Sequence, residues 1–247
     1  ICVDVSRIAN KNISTSTFGI GCGFNELLLS SMSQTGLGNF YFIKNEDNFK
    51  TLFNEEFTGL TNICASEIKM SLNLKKDVLS KMLTELKVTE GVYQIQDITK
   101  DSVTPILMNI NTSSMEIGKH NLGEVVISFK DADGNSHSVK ESIEIEIVSE
   151  EEWLLCSENE EIKVQEILLD IVKNKLKAKE FFDFGDAEGG KRILRGLSAS
   201  MSNINSSDSR LQMQSSALNQ TILSADNQDN ALLSKTMHYE SYRTSKG

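Results

Sequence analysis

The hydrophobic period changes twice along this chain, and that limits the fold more than any single motif. Between residues 13 and 66, short apolar runs alternate with helical spacing; between 67 and 148 the period is two; from about 150 it is helical nearly to the end. A period of two buries one face of a strand, and a period near 3.6 buries one stripe of a helix. Three blocks built on different principles are therefore expected. The single proline, Pro105, falls in the middle block, so no proline breaks the helices of the third.

In the first block, residues 4–11 read as a short helix. Residues 13–20 (ISTSTFGI) are β-branched and apolar, bounded by Gly19, Gly21 and Gly23, and read as a strand. Asn25 stands where a helix over 25–35 needs its N-cap. Leu27, Leu28, Ser31 and Met32 repeat along it, and Gly36 and Gly38 end it. The aromatic run NFYFI at 39–43 suits a buried strand. A helix over 46–66 opens on Glu46 and Asp47 and carries Phe49, Leu52, Phe53, Phe57 and Leu60 near helical spacing. Strand–helix–strand–helix is the order of a parallel α/β sheet.

In the second block Ile68, Met70, Leu72 and Leu74 share one strand face. Strand-like runs follow at 84–95, 105–111, 123–130 and 137–148. The last two flank Asp131-Ala132-Asp133-Gly134-Asn135, a hairpin signal. Ile143, Ile145 and Ile147 alternate with Glu144 and Glu146, so one face is buried and one solvated. The third block predicts helices at 160–182, 187–203, 209–224 and about 228–243. Ser207 and Asp208 are capping candidates, and Gly185 and Gly189-Gly190 mark a turn. The expected fold class is thus α/β, then all-β of the antiparallel sandwich type, then an all-α helical bundle. The expected domains are 1–66, 67–149 and 150–247.

Charge and composition narrow the function. Thirty-five acidic against 25 basic side chains leave a net charge of −10, which argues against a partner held through nucleic-acid phosphates. No apolar run is long enough for a membrane span, and no signal peptide is visible. Cys2, Cys22, Cys64 and Cys156 form no CxxC pair and read as buried free thiols of a reducing, cytoplasmic setting. His120, His137 and His238 lie too far apart in sequence for a zinc pair, and no G-x-S-x-G elbow occurs. Gly19-x-Gly21-x-Gly23 lacks the spacing of a phosphate loop, and the calcium-loop pattern begun at Asp131 meets Ser142 where its bidentate Glu should be. No enzyme and no cofactor are therefore expected of this chain. One segment suggests recognition: residues 141–161 hold nine acidic side chains and no basic one. There Glu150, Glu151 and Glu152 lead into Trp153, a candidate site for a basic partner surface with Trp153 as its apolar anchor.

Three stretches resemble the C-terminal third of a von Willebrand factor A (VWA) domain: Ser16-Thr17-Phe18-Gly19-Ile20-Gly21, Phe24-Asn25-Glu26-Leu27-Leu28, and Gly38-Asn39-Phe40-Tyr41-Phe42-Ile43. The resemblance implies that Gly19 and Gly21 turn the backbone at the end of a central strand. Residues 67–148 are similar to the β domain that such proteins append, and Lys235-x-x-x-Tyr239-x-x-x-Arg243 is similar to a segment of their helical tail. The family's D-x-S-x-S metal loop is not matched. Asp4-Val5-Ser6-Arg7-Ile8 has Ile8 where the second Ser belongs and reads as helix surface. The resemblance implies that this chain is the C-terminal part of a longer polypeptide, with any Mg or Ca site in the missing part, which could also be a separate chain. It implies a non-enzymatic scaffold that binds a protein ligand. The alternative is the recognition arm of a larger regulatory complex, such as a RING-type ubiquitin ligase or an ATPase-associated assembly.

Overall fold

The computed structural model describes residues 1–204, 207–225 and 230–246, apart from the side chains of Glu46 and Asp47. In chain order the elements are α1 (Cys2–Ala9), β1 (Thr15–Ile20), α2 (Glu26–Thr35), β2 (Leu37–Ile43), α3 (Glu46–Thr61), β3 (Ile63–Leu74), β4 (Val78–Met82), β5 (Lys87–Thr89), β6 (Val92–Gln94), β7 (Ile98–Thr99), β8 (Met108–Thr112), β9 (Gly118–Asp131), β10 (Ser136–Ile147), α4 (Glu150–Trp153), α5 (Glu160–Asp183), α6 (Ala187–Ser202), α7 (Ser209–Ser224) and α8 (Asn230–Lys246). They form two compact units. One comprises residues 1–15, 34–38 and 53–158; the other comprises 16–33, 39–52 and the chain from 159 onward.

The first unit holds most of the β structure. Its six-stranded sheet runs β10-β9-β3-β6-β5, with β7 also on β3, while β4 and β8 form a separate pair. Every pairing in these two sheets is antiparallel. The long β9–β10 hairpin is set by Asp131. Its Oδ1 accepts the backbone N–H groups of Asp133 (3.0 Å) and Asn135 (2.8 Å), and its Oδ2 meets His137 Nε2 at 2.7 Å. That last bond leads the causes that hold the Asp131 carboxyl down at about 2. The period-two reading of β3 holds at its centre: Ile68 and Met70 are buried and pack with Ile95, Val125, Ile127 and Phe129.

Three boundaries differ from expectation. The helix predicted to 66 ends at Thr61, because Ile63–Ser66 already pair with β7 and β9 and that ladder recruits them into β3. The run at 84–95 is a small hairpin, β5–β6, turned at Glu90-Gly91, both at positive φ (53° and 80°). Strand β4 was not foreseen; it pairs with β8.

In the second unit, β1 and β2 pair alongside α2. Gly21 N–H donates to the Ile43 carbonyl, and the register advances in the same sense along both strands, as a helical crossover requires. The two faces of β2 are both covered. Phe40 and Phe42 pack with Tyr242, Phe24, Leu29 and Leu232, and Tyr41 and Ile43 pack with Leu52 and Phe18. Phe40 is 1% exposed, and rings of Phe24, His238, Tyr239 and Tyr242 stand edge-on to it. A Phe40→Ala chain is expected to lose about 3–5 kcal/mol, the usual cost of emptying a buried aromatic site; thermal melts against wild type check it.

Helices α5–α8 share a core of Leu168, Ile171, Ala178, Phe182, Leu194, Leu218, Leu233 and Met237. Gly189 and Gly190 are not in the turn as predicted; they lie inside α6. There a side chain on Gly190 would strike the buried Phe182 ring at 2.5 Å, so the residue permits close approach of α6 to α5. The turn is made at Gly185 (φ 81°). Asp208, not Ser207, is the cap of α7: its side chain accepts Arg210 N–H at 2.8 Å. Arg210 also forks onto Glu161 (2.8 and 2.7 Å), tying the start of α7 to the start of α5. In an Arg210→Gln chain, amide exchange at residues 209–212 is expected to quicken with the remaining helices unchanged. Equal exchange in the two chains would show the fork to be without consequence. The predicted start of the last helix at 228 lies outside the described residues.

Candidate interaction site

The face that α2 turns inward is not the one its leucines suggested. Leu27 and Leu28 are exposed, while Ser30 and Ser33 are buried. Serine can do this because each hydroxyl returns to a backbone carbonyl one turn earlier: Ser30 to Leu27 and Ser33 to Ser30 (2.8 Å). Small capped side chains let α8 come close, and His238 Nε2 meets Ser30 Oγ at 2.9 Å. His238 is buried, and its Nδ1 has no hydrogen-bond partner among the described residues. Burial first, then the Lys179 charge, push its pKa down from 6.5, favouring the neutral ring.

One turn along, Glu26 anchors a buried ionic cluster. Lys235 Nζ donates to Glu26 Oε2 and to the Phe24 carbonyl, both at 2.7 Å, and lies 4.5 Å from the Phe24 ring centre. Lys179 Nζ reaches Glu26 Oε1 at 3.1 Å and Asp183 Oδ2 at 2.5 Å, and Ser234 Oγ donates to Asp183 Oδ1. The side chains of Lys179, Lys235 and Glu26 are 6%, 9% and 14% exposed. Burial alone would raise the Glu26 pKa. The hydrogen bonds from Lys235, from its own backbone and from Lys179 overcome that and bring it from 4.5 to about 2. The cluster therefore carries one carboxylate between two ammonium groups, with Asp183 as the second carboxylate. A further buried lysine, Lys175, reaches Glu240 (3.0 Å) and Gln214 (3.2 Å).

Two stretches quoted separately for the family resemblance thus meet: Glu26 of the F-N-E-L-L stretch is bonded by Lys235 of the last helix. Tyr239, one turn on, packs against Phe40 and Phe42. Gly19 does not turn the chain; it lies within β1, and the Phe24 ring occupies the place its side chain would take. Gly21, at φ 65°, makes the turn. Asn25 Oδ1 accepts Leu28 N–H at 2.9 Å, as an N-cap should. Lys175, Lys179, Asp183 and Glu26 were missed. The available signal was three ionisable residues spaced by four, 175, 179 and 183, amid the apolar positions of α5.

The acidic–apolar segment lies in the first unit. Ser149 and Glu152 form a reciprocal capping box, so α4 is set by its own side chains. Glu150, Glu151 and Glu152 are exposed on it. Trp153, Leu154 and Leu155 follow at 69%, 77% and 87% exposure. Asp4, of the near-match to the metal loop, sits on α1 beside Arg7 at 3.2 Å with Ile8 in place of a donor. Among the described residues no group of three or more His, Cys, Asp or Glu could hold a metal ion. The divalent ion of the resembled metal loop therefore does not fit the described residues. The three histidines answer to separate partners: His120 to the Glu116 carbonyl, His137 to Asp131 and His238 to Ser30. The four free cysteines are not buried as expected: Cys22, Cys64 and Cys156 are exposed and Cys2 is half-buried. Among the described residues no helix is long and apolar enough to cross a membrane.

No family model matches the sequence, and no curated protein matches it. Solved structures do match in shape. A von Willebrand factor type A protein from Catenulispora acidiphila superposes over 90% of this chain and 54% of its own, with TM-score 0.61 and 13% identity. The ArnB paralog VWA2 from Sulfolobus acidocaldarius covers 98% of this chain and 60% of its own, with TM-score 0.57 and 14% identity. The human COPII-coat protein Sec24c covers 98% of this chain and 33% of its own, with TM-score 0.56 and 9% identity. The chain spans about half the length of the first two. At such identities the likeness is one of fold: the chain has a VWA-like α/β fold.

Proposed function

We propose that the chain is a non-enzymatic protein-interaction module of the VWA type. The observation that carries this is that the likeness to two VWA structures extends over 90% and 98% of the chain, β-rich unit and helices included. On this reading it is the C-terminal part of a longer VWA protein, with a sandwich-like β domain and a helical-bundle tail, and any metal-dependent contact belongs to the other part. Three strongly shifted carboxylates fit a structural role, since Glu26, Glu161 and Asp208 are each held by a named cation. A second reading, an arm of a larger assembly, is favoured by the likeness to Sec24c, itself a coat protein.

The test is photo-crosslinking of the full chain in its source cells, with the reactive group placed in turn at Trp153, at Val103 in the β-rich unit and at Met213 on α7. The same protein recovered in stoichiometric amount from one or more positions is the expected outcome. A chain that crosslinks to nothing and migrates alone on native gels would count against both readings.

A further inference from the structure

We infer that residues 149–155 are a short preformed wedge that seats Trp153, Leu154 and Leu155 in an apolar groove rimmed by Lys or Arg on a different protein. This rests on the protein-interaction reading above and names the surface and the class of partner. A single exposed leucine is ordinary on any protein, whereas three consecutive large apolar residues, all at least 69% exposed, are not. Successive helical residues point about 100° apart. Three in a row therefore cover no flat stripe; they form a knob, which fits a concave site. The capping box between Ser149 and Glu152 holds the turn before any partner arrives, lowering the ordering cost of binding.

Charge selects the occupant. Glu150, Glu151 and Glu152 stand immediately before the knob. Seating the knob brings these carboxylates against the rim of the groove, where basic groups are favoured and acidic ones repelled. A second copy of this chain is a poor occupant, because it carries a net charge of −10.

Trp153 is the sole tryptophan, so its emission reports this site alone. The full chain is titrated with a designed four-helix bundle lacking one helix, its Leu-lined groove rimmed by lysines. A twin rimmed by glutamates, polylysine, and phosphatidylcholine vesicles serve as comparisons. The expected result is a saturable blue shift with the lysine-rimmed groove only, weakening as salt rises. Leu154→Ser/Leu155→Ser and Glu150→Gln/Glu151→Gln/Glu152→Gln chains, with unchanged circular dichroism, should each bind at least tenfold more weakly. An equal response to the glutamate-rimmed twin, a full response to polylysine, a larger shift on vesicles, or no response to any probe would overturn the inference. A chain silent to all four probes, yet crosslinked to a protein through Val103 or Met213, would leave the interaction reading standing and remove this one.

Discussion

A Glu26→Ala chain should lose about 3–5 kcal/mol, the usual cost of removing one partner from a buried ion pair. At this chain length that is a fall of roughly 10 °C in melting temperature. Glu26 serves two cations at once, Lys179 at 3.1 Å and Lys235 at 2.7 Å, and both are nearly excluded from water. Removing it leaves Lys235 with the Phe24 carbonyl and ring, and Lys179 with Asp183, and no carboxylate on Lys235 among the described residues. Glu26→Gln, which keeps the shape and one acceptor, should fall between. A drop below about 2 °C for the alanine chain would mean that the cluster does not hold α8 in place.

The same carboxylate sets an acid limit. Its folded pKa, about 2, lies below its ordinary value of 4.5, so its stabilisation is complete above pH 4.5 and is lost as pH falls from there toward 2. The gap in melting temperature between wild type and Glu26→Gln should therefore narrow across that window. A gap constant from pH 6 to pH 2.5 would contradict the assignment.

The second large effect is expected at Gly123. It sits in β9 at φ 149°, where an added Cβ would lie 2.3 Å from the Asn73 carbonyl oxygen and 2.8 Å from Leu74 Cα. Both obstacles are backbone atoms of β3, so no rotamer change relieves them. Gly123→Ala should cost about 4 kcal/mol, combining backbone strain with overpacking. The neighbouring turn supplies the control. Gly134 also has positive φ, 83°, but open space around it, so Gly134→Ala should cost only about 1 kcal/mol. Denaturant titrations of both chains decide it, and equal losses would show that the close β3–β9 approach is not the cause.

The order of elements could be read from hydrophobic period because each period reflects which face is buried. Phe40–Ile43 are buried as their apolar run predicts, and Ile143, Ile145 and Ile147 are half-buried between exposed Glu144 and Glu146. The identity of the buried face on α2 could not be read, because it is built on Ser30 and Ser33, whose hydroxyls are satisfied locally, with Leu29 beside them; Leu27 and Leu28 face solvent. The ionic cluster was illegible for a different reason. Glu26 and Lys235 are 209 residues apart, and nothing in either segment names the other. The end of α3 was misplaced because Ile63–Ser66 are strand only through partners on β7 and β9. The exposure of Trp153 and its acidic neighbours agrees with local composition, a signal that needs no partner to be read.

The bond between Lys235 and the Phe24 carbonyl joins residues 211 positions apart. At roughly 5–20 residues per second of synthesis, about 10–40 s separate the emergence of its two ends from the ribosome. Throughout that interval the aromatic face of β2, Phe40 and Phe42, waits without the helix that carries Tyr239 and Tyr242. The nascent chain thus presents a sticky surface for that interval, a time in which chaperones can act on it and premature termination would leave it permanently uncovered.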